Sequence, residues 1–293
     1  MTTQTPLIIE LRSNELASKS LNPAVPYEPD EIVTDALESI AAGASMVHWH
    51  ARDSDGAQRP GDISLQSQVI KGLRAQSNVI LHPTLGFIGT QDDAESRIQT
   101  ILELNSDSET RVDIAPVDFG AFIADPWLES HQEFASENTV LMNRTGYLQE
   151  LLAALNANSI RVMSVVWSAG AVRTARLMQR RGLLAKEAYW QLGFTGDDVP
   201  GGPPPTLANL ETFLEAIPTG DPWTMHVRDG DGLTMAAWTI AAGGHVSIGL
   251  GDDPYTRLGQ PTNSELVRRV VHLAETLGRP VATIEQARNI VGV

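Results

Sequence analysis

Short apolar runs alternate along the chain with longer stretches in which apolar residues recur at helical spacing. PLIIEL (6–11) reads as a first strand. After a loop, YEPDEIVTDALESIAAGA reads as a helix: Pro29 suits its first turn, acids follow, and Gly43 closes it. Strands SMVHWH (45–50), NVILHP (78–83) and RVDIAP (111–116) come next, with helices near 62–75 and 91–105. A long loop and a helix at 146–157 lead to RVMSVVW (161–167), YWQLGF (189–194), PWTMHV (222–227) and HVSIGL (245–250). Helices at 170–183, 206–216, 231–242 and 262–277 follow these in turn, then a short one near 284–291. A ninth apolar run, TVLMN (139–143), has no helix between it and the fourth strand, so it is assigned to the long loop.

Eight strand–helix units imply a parallel sheet, and eight of them in 293 residues favour one TIM (β/α)8 barrel domain over 1–293. An open doubly wound sheet is the alternative, but its glycine fingerprint is missing. GFIGT (86–90), after the third strand, is not GxGxxG, and there is no Walker loop. In a barrel the chemistry gathers at the C-terminal ends of the strands. Those ends carry Glu15, His48 and His50, His82 and Thr84, Asp118, His226 and Arg228, and Asp252 and Asp253. His48 and His50 are two apart on one strand, so both imidazoles point to one face. A His-x-His strand end is a common holder of zinc or a similar divalent ion, and a third protein ligand leaves room for water or substrate. Trp49, between them, points the other way, into the barrel–helix layer.

Composition narrows the chemistry. There are no cysteines, which removes disulfides, thiolate metal sites and a Cys nucleophile. The three lysines, Lys19, Lys71 and Lys186, avoid the strand ends, against a Schiff-base aldolase. No GxSxG elbow is present. A net charge of −15 with no basic cluster argues against nucleic acid or an anionic membrane as partner. The start, MTTQTPLIIELRSNE, lacks the pattern of a signal peptide, and no run approaches the ~20 apolar residues of a membrane span. The expectation is a soluble cytoplasmic protein.

AAGASMVHWHARD closely resembles the second strand of the β-keto acid cleavage enzymes, the group that includes 3-keto-5-aminohexanoate cleavage enzyme. The resemblance extends to WQLGF, AAGGHVSIGLGDDPY and PTNSELVRRVVHLAETLGRPVATIEQARNIVG. It implies a TIM barrel, commonly a homotetramer. It also implies zinc held by the two histidines and a strand-eight glutamate, binding the carboxylate and keto oxygens of a β-keto acid. Acetyl-CoA is the co-substrate; acetoacetate leaves and the remainder becomes a CoA thioester. By position His48 and His50 match the metal ligands, Glu15 an acid that reads the variable end of the substrate, and Asp252 the acid after the ligand glutamate. Thr84, Asn143 and Arg52 also match.

The chain departs from the pattern at strand eight. R-V-G-L-E-D-N becomes SIGLGDD, so Gly251 stands where the metal-binding glutamate belongs and Ser247 where an arginine belongs. Pro83 replaces a strand-three serine. The candidate third ligands are then His82, His226 or Asp252, and Arg228 is the candidate replacement cation. Glu15 suggests a substrate with a cationic or hydroxylated tail. Two alternatives stand beside acetyl-CoA-dependent cleavage: a metal-dependent lyase or hydrolase without CoA, and a ligand-binding relative that has lost the chemistry.

Overall fold

A computed structural model describes residues 5–85 and 94–293. The GFIGT stretch and the first residues of the helix expected from 91 lie outside the described residues. Among the described residues the chain forms the strands β1 (Ile9–Arg12), β2 (Met46–Trp49), β3 (Ile80–Pro83), β4 (Ile114–Ile123), β5 (Trp127–Leu128), β6 (Glu133–Phe134), β7 (Val140–Asn143), β8 (Arg161–Val166), β9 (Tyr189–Thr195), β10 (Trp223–Arg228) and β11 (His245–Ile248). Its α-helices are α1 (Pro29–Ala42), α2 (Ile63–Arg74), α3 (Ala94–Asn105), α4 (Thr145–Ala157), α5 (Ala169–Arg180), α6 (Leu207–Ala216), α7 (Gly232–Ala241), α8 (Asn263–Thr276) and α9 (Ile284–Val291).

The main sheet runs β3-β2-β1-β11-β10-β9-β8-β4, parallel throughout, with β7 added antiparallel outside β4. Between β3 and β4 no ladder forms, but Asp113 N–H donates to Leu81 C=O at 3.1 Å and brings the two ends of the sheet together. This is the expected α/β barrel. Helix boundaries follow local chemistry: Pro29 opens α1 behind a Glu28/Glu31 capping box, and Thr262 with Glu265 does the same for α8.

The period of two sorts each strand between two environments. Ile9, Leu11, Val47, Trp49 and Leu81 face the helices in the larger core. The alternate residues Ile8, Met46, Ile80, Ile114, Met163 and Tyr189 pack inside the barrel, where Ala287 and Val291 of α9 cover the bottom. Two residues further along β1, β2, β3 and β9 the interior turns polar: Glu10, His48, His82 and Gln191 come after the apolar floor. Register ties them together, with Arg12 beside His48 and His48 beside His82.

The long loop is more structured than its sequence suggested. TVLMN is not loop: Val140–Asn143 is β7, paired with the outer half of β4 (Gly120↔Asn143, Ile123↔Val140). Strand four therefore runs past Pro116 to Ile123, and Asp118 lies within it rather than after it. Gly120 has φ +94°, a left-handed backbone that side-chain-bearing residues avoid, at the point where β4 exchanges β8 for β7 as partner.

Candidate active site

A pocket opens at the C-terminal ends of the barrel strands. Its walls include Arg12, Glu15, His48, His50, His82, Thr84, Asp118, Asn143, Trp167, Gln191, His226 and Arg228. The sequence-predicted residues thus converge, except Arg52 and Asp252, described below, and Asp253, whose carboxylate pairs with Arg257.

Four imidazoles face this pocket, and each is held from behind through Nδ1. His48 Nδ1 lies 2.7 Å from the His82 carbonyl. A carbonyl only accepts, so His48 carries its proton on Nδ1 and its lone pair on Nε2. His50 Nδ1 lies 2.8 Å from Gln58 Oε1, and the other end of that amide, Nε2, donates to the Glu15 carbonyl, which fixes its orientation. His50 therefore also presents a bare Nε2. His82 Nδ1 pairs with Glu10 Oε1 at 3.0 Å and His226 Nδ1 with Asp252 Oδ1 at 2.9 Å. His82 Nε2 is buried with no hydrogen-bond partner among the described residues. Burial, and then the charge of Arg12, pushes the pKa of His48 and of His226 well below the usual imidazole value. Burial takes His50 down to about 3. His48, His50 and His226 are thereby held neutral at physiological pH, the state in which a histidine binds a metal or accepts a proton.

Arg12 organises the acids. Its Nε is 3.1 Å from Asp252 Oδ1, one Nη lies 3.6 Å from Glu10 Oε1, and the other pairs with Glu15. Three buried carboxylates thus converge on one guanidinium. Burial raises the pKa of Asp252 well above the carboxylate range; Arg12 opposes this and Glu10 adds to it. A divalent cation would offset the excess negative charge, and the donors present fit one. Ligand atoms, one each from Glu15, His48 and His50, lie within 4.8 Å of one another, as do one each from Glu10, His48 and His82. Outward Nδ1–H bonds are the usual second layer around a metal-bound histidine.

The loop after β1 is tied to the end of β2. Asn14 exchanges two hydrogen bonds with the His50 backbone, at 2.9 and 3.0 Å. Arg52 donates to the Ala17 carbonyl at 2.6 Å, to those of Asn14 and Glu15, and to Gly56 C=O, and it stacks over Tyr27. Arg52 is therefore the clasp of the Glu15 loop and does not reach the pocket. Asp252 does not reach it either. It does not turn into the space beside Gly251; it stands behind His226, and Glu15 fills that space instead. Glu15 lines the pocket with Arg12 paired to its carboxylate and His48 Nε2 3.4 Å from its Oε1.

Arg228 reaches the pocket with Asp229 3.2 Å from its Nε. Asn143 donates to the Asp118 carbonyl at 2.9 Å, and the Asp118 carboxylate accepts from Trp167 Nε1 at 2.8 Å. Sequence reasoning missed Glu10, Arg12, Trp167 and Gln191. The signal was the period of two: Ile8, Glu10 and Arg12 share a face, as do Tyr189 and Gln191.

The sequence matches the family model described as beta-keto acid cleavage enzyme over residues 6–293. The chain belongs to the β-keto acid cleavage enzyme family. It is 29% identical over 281 residues to the 3-keto-5-aminohexanoate cleavage enzyme of Acetoanaerobium sticklandii, covering 94% of each chain. It is 27% identical over 293 residues to the 3-oxoadipate:acetyl-CoA acetyltransferase of Cupriavidus necator, covering 98% of this chain and 95% of that one. Among solved structures, ObcA in ternary complex with a C4-CoA adduct and oxalate aligns with a TM-score of 0.73 at 16% identity, over 92% of this chain and 68% of ObcA, a likeness of fold. Family membership makes the chain an enzyme of the β-keto acid cleavage type. The reading of a barrel that had lost its chemistry rested on Gly251 and Ser247 alone and is set aside.

Proposed function

We propose that the protein cleaves a small β-keto acid with acetyl-CoA, giving acetoacetate and a new acyl-CoA, and that it uses a divalent metal, zinc by its donor set, held by His48 and His50. The observation that carries this is the pair of neutral imidazoles, each locked by an outward Nδ1–H bond with Nε2 turned into the pocket. Bound there, the metal supplies Lewis acidity toward the keto and carboxylate oxygens of the substrate.

The chain's own residues account for the rest. The Asp252–His226 pair places a neutral ring nitrogen at the pocket wall: Asp252 Oδ1, which faces Arg12 Nε at 3.1 Å and so carries no proton, accepts from His226 Nδ1 and leaves Nε2 free to take a proton from C2 of the keto acid. The C2 carbanion attacks the thioester carbonyl of acetyl-CoA and expels the CoA thiolate. The thiolate then attacks the keto carbonyl, the C2–C3 bond breaks, and C2 takes back a proton. Acetoacetate and the acyl-CoA result, with no redox change. Arg228 supplies a cation for an anionic group of either substrate. Thr84, Asn143 and Asp118 line the same wall and offer hydrogen bonds to its distal end.

The resemblance implies a homotetramer. The exposed Ile123, Val140 and Met142 of the β4–β7 ribbon are an apolar surface that such contacts would cover. The function is tested by following acetoacetate and acyl-CoA formation across a panel of β-keto acids, with and without acetyl-CoA. Acetyl-CoA-dependent turnover, lost in the His48→Ala and His50→Ala variants, is expected. Turnover independent of CoA would favour a lyase, and full activity in both variants would remove the metal from the reaction.

A further inference from the structure

Among the described residues there are two candidate metal triads, both sharing His48, and the geometry separates them. In the first, Glu10 Oε1 lies 3.0 Å from His82 Nδ1, a hydrogen bond that leaves His82 only its Nε2, and Glu10 is also contacted by Arg12 and Gln191. Its carboxylate is engaged within the barrel interior. In the second, Glu15 Oε1 lies 3.4 Å from His48 Nε2, the nitrogen that carries the lone pair. His50, the third member, presents its own bare Nε2 to the same space.

Gly251 explains how Glu15 comes to be there. A Cβ built at Gly251 would lie 3.0 Å from Glu15 Cγ and 3.1 Å from both Glu15 N and the Arg12 carbonyl. Its backbone does not have positive φ, so dihedral freedom is not the reason for glycine. The missing side chain is the space that the stem of Glu15 needs. The loop that carries Glu15 is in turn fixed by Arg52, Gln58 and Asn14, and its carboxylate is steadied by Arg12.

We propose that Glu15 is the third protein ligand of the metal, and that Gly251 is glycine because Glu15 occupies its side-chain space. The carboxylate comes from the loop after β1 rather than from the end of β11. The proposal rests on the metal reading above. Two histidines and one carboxylate leave positions open for substrate oxygens. It follows that Glu15 is committed to the metal and that the far end of the substrate is selected by other residues.

The test is metal binding, read without turnover. Zn2+ affinity is measured by competition with a chromophoric chelator, and Co2+ binding by its visible absorption, on the full chain. The parent, His48→Ala, Glu15→Gln, His82→Ala and Gly251→Ala are compared, with circular dichroism of the metal-free proteins as the folding control. His48→Ala and Glu15→Gln are expected to weaken Zn2+ by about a hundredfold or more, beyond the loss typical of an outer-layer partner. Glu15→Gln should also change the Co2+ spectrum. His82→Ala keeps one Zn2+ per chain, and Gly251→Ala, with every ligand intact, weakens binding by displacing Glu15. If Glu15→Gln binds Zn2+ like the parent while His48→Ala does not, Glu15 is not a ligand and the metal reading survives. If the parent binds neither ion, or His48→Ala binds both unchanged, both fall. Gly251→Ala binding like the parent overturns the role given to Gly251.

Discussion

At the scale of single residues, the His226–Asp252 pair makes the sharpest prediction. His226 borders the pocket without belonging to either metal triad. His226→Gln should lower kcat by about 10²–10⁴-fold, the range for loss of a proton-transfer group, while metal content stays at the parent level. A parallel loss of metal would make His226 a ligand instead. Asp252→Asn should act in the same direction through His226, because an amide that offers its NH2 to Nδ1 reverses the tautomer. Residue identity alone does not separate these roles. His48, His50, His82 and His226 are four histidines near three strand ends, and what distinguishes them is the atom that each Nδ1 meets.

At the scale of elements, the loop from Ser13 to Ala17 is held by side chains from the end of β2 and the turn beyond it. Arg52 is the main tie, with a guanidinium shared among several backbone carbonyls and the Tyr27 ring. Arg52→Ala should cost about 2 kcal/mol of stability in urea unfolding, since a charged donor bonded to carbonyls is worth ~1.5–3 kcal/mol. Arg52→Lys should recover little of it, because an ammonium cannot span that fork. A raised KM with unchanged unfolding would return Arg52 to the substrate. The hydrophobic pattern delivered the barrel strands and helices within a few residues, since each buries one regular face, except that β4 runs seven residues past its expected end. It did not deliver β7: a four-residue strand with mixed burial has no periodic signature, and it exists because the outer half of β4 needs a partner.

At the scale of the whole molecule, buried neutral histidines set the response to acid. His245 is at the start of β11, away from the pocket, and its Nδ1 accepts the Ile8 N–H at 3.0 Å. Burial, with Arg279 adding to it, holds its pKa down at about 3. An unfolded chain takes up that proton near pH 6.5 and the folded one does not. Stability is therefore full above about 6.5 and falls as pH drops toward 3, by up to about 1.4 kcal/mol per pH unit for this one site. In metal-free protein, the stability of the parent relative to His245→Gln should decline with that slope below pH 6.5. Parallel curves would mean that His245 does not carry the effect.

The order of apolar and polar residues by itself determined the eight strand–helix units, the barrel, and the face that His48 and His50 share, because strand and helix periods are local properties of the chain. The family followed from motifs of the same kind. Which carboxylate stands beside those histidines, which guanidinium neutralises it, and why position 251 lacks a side chain depend on Glu15, Arg12 and Gly251, which meet only when the first and last strands of the barrel lie side by side. That contact joins residues more than two hundred positions apart, and no local pattern encodes it.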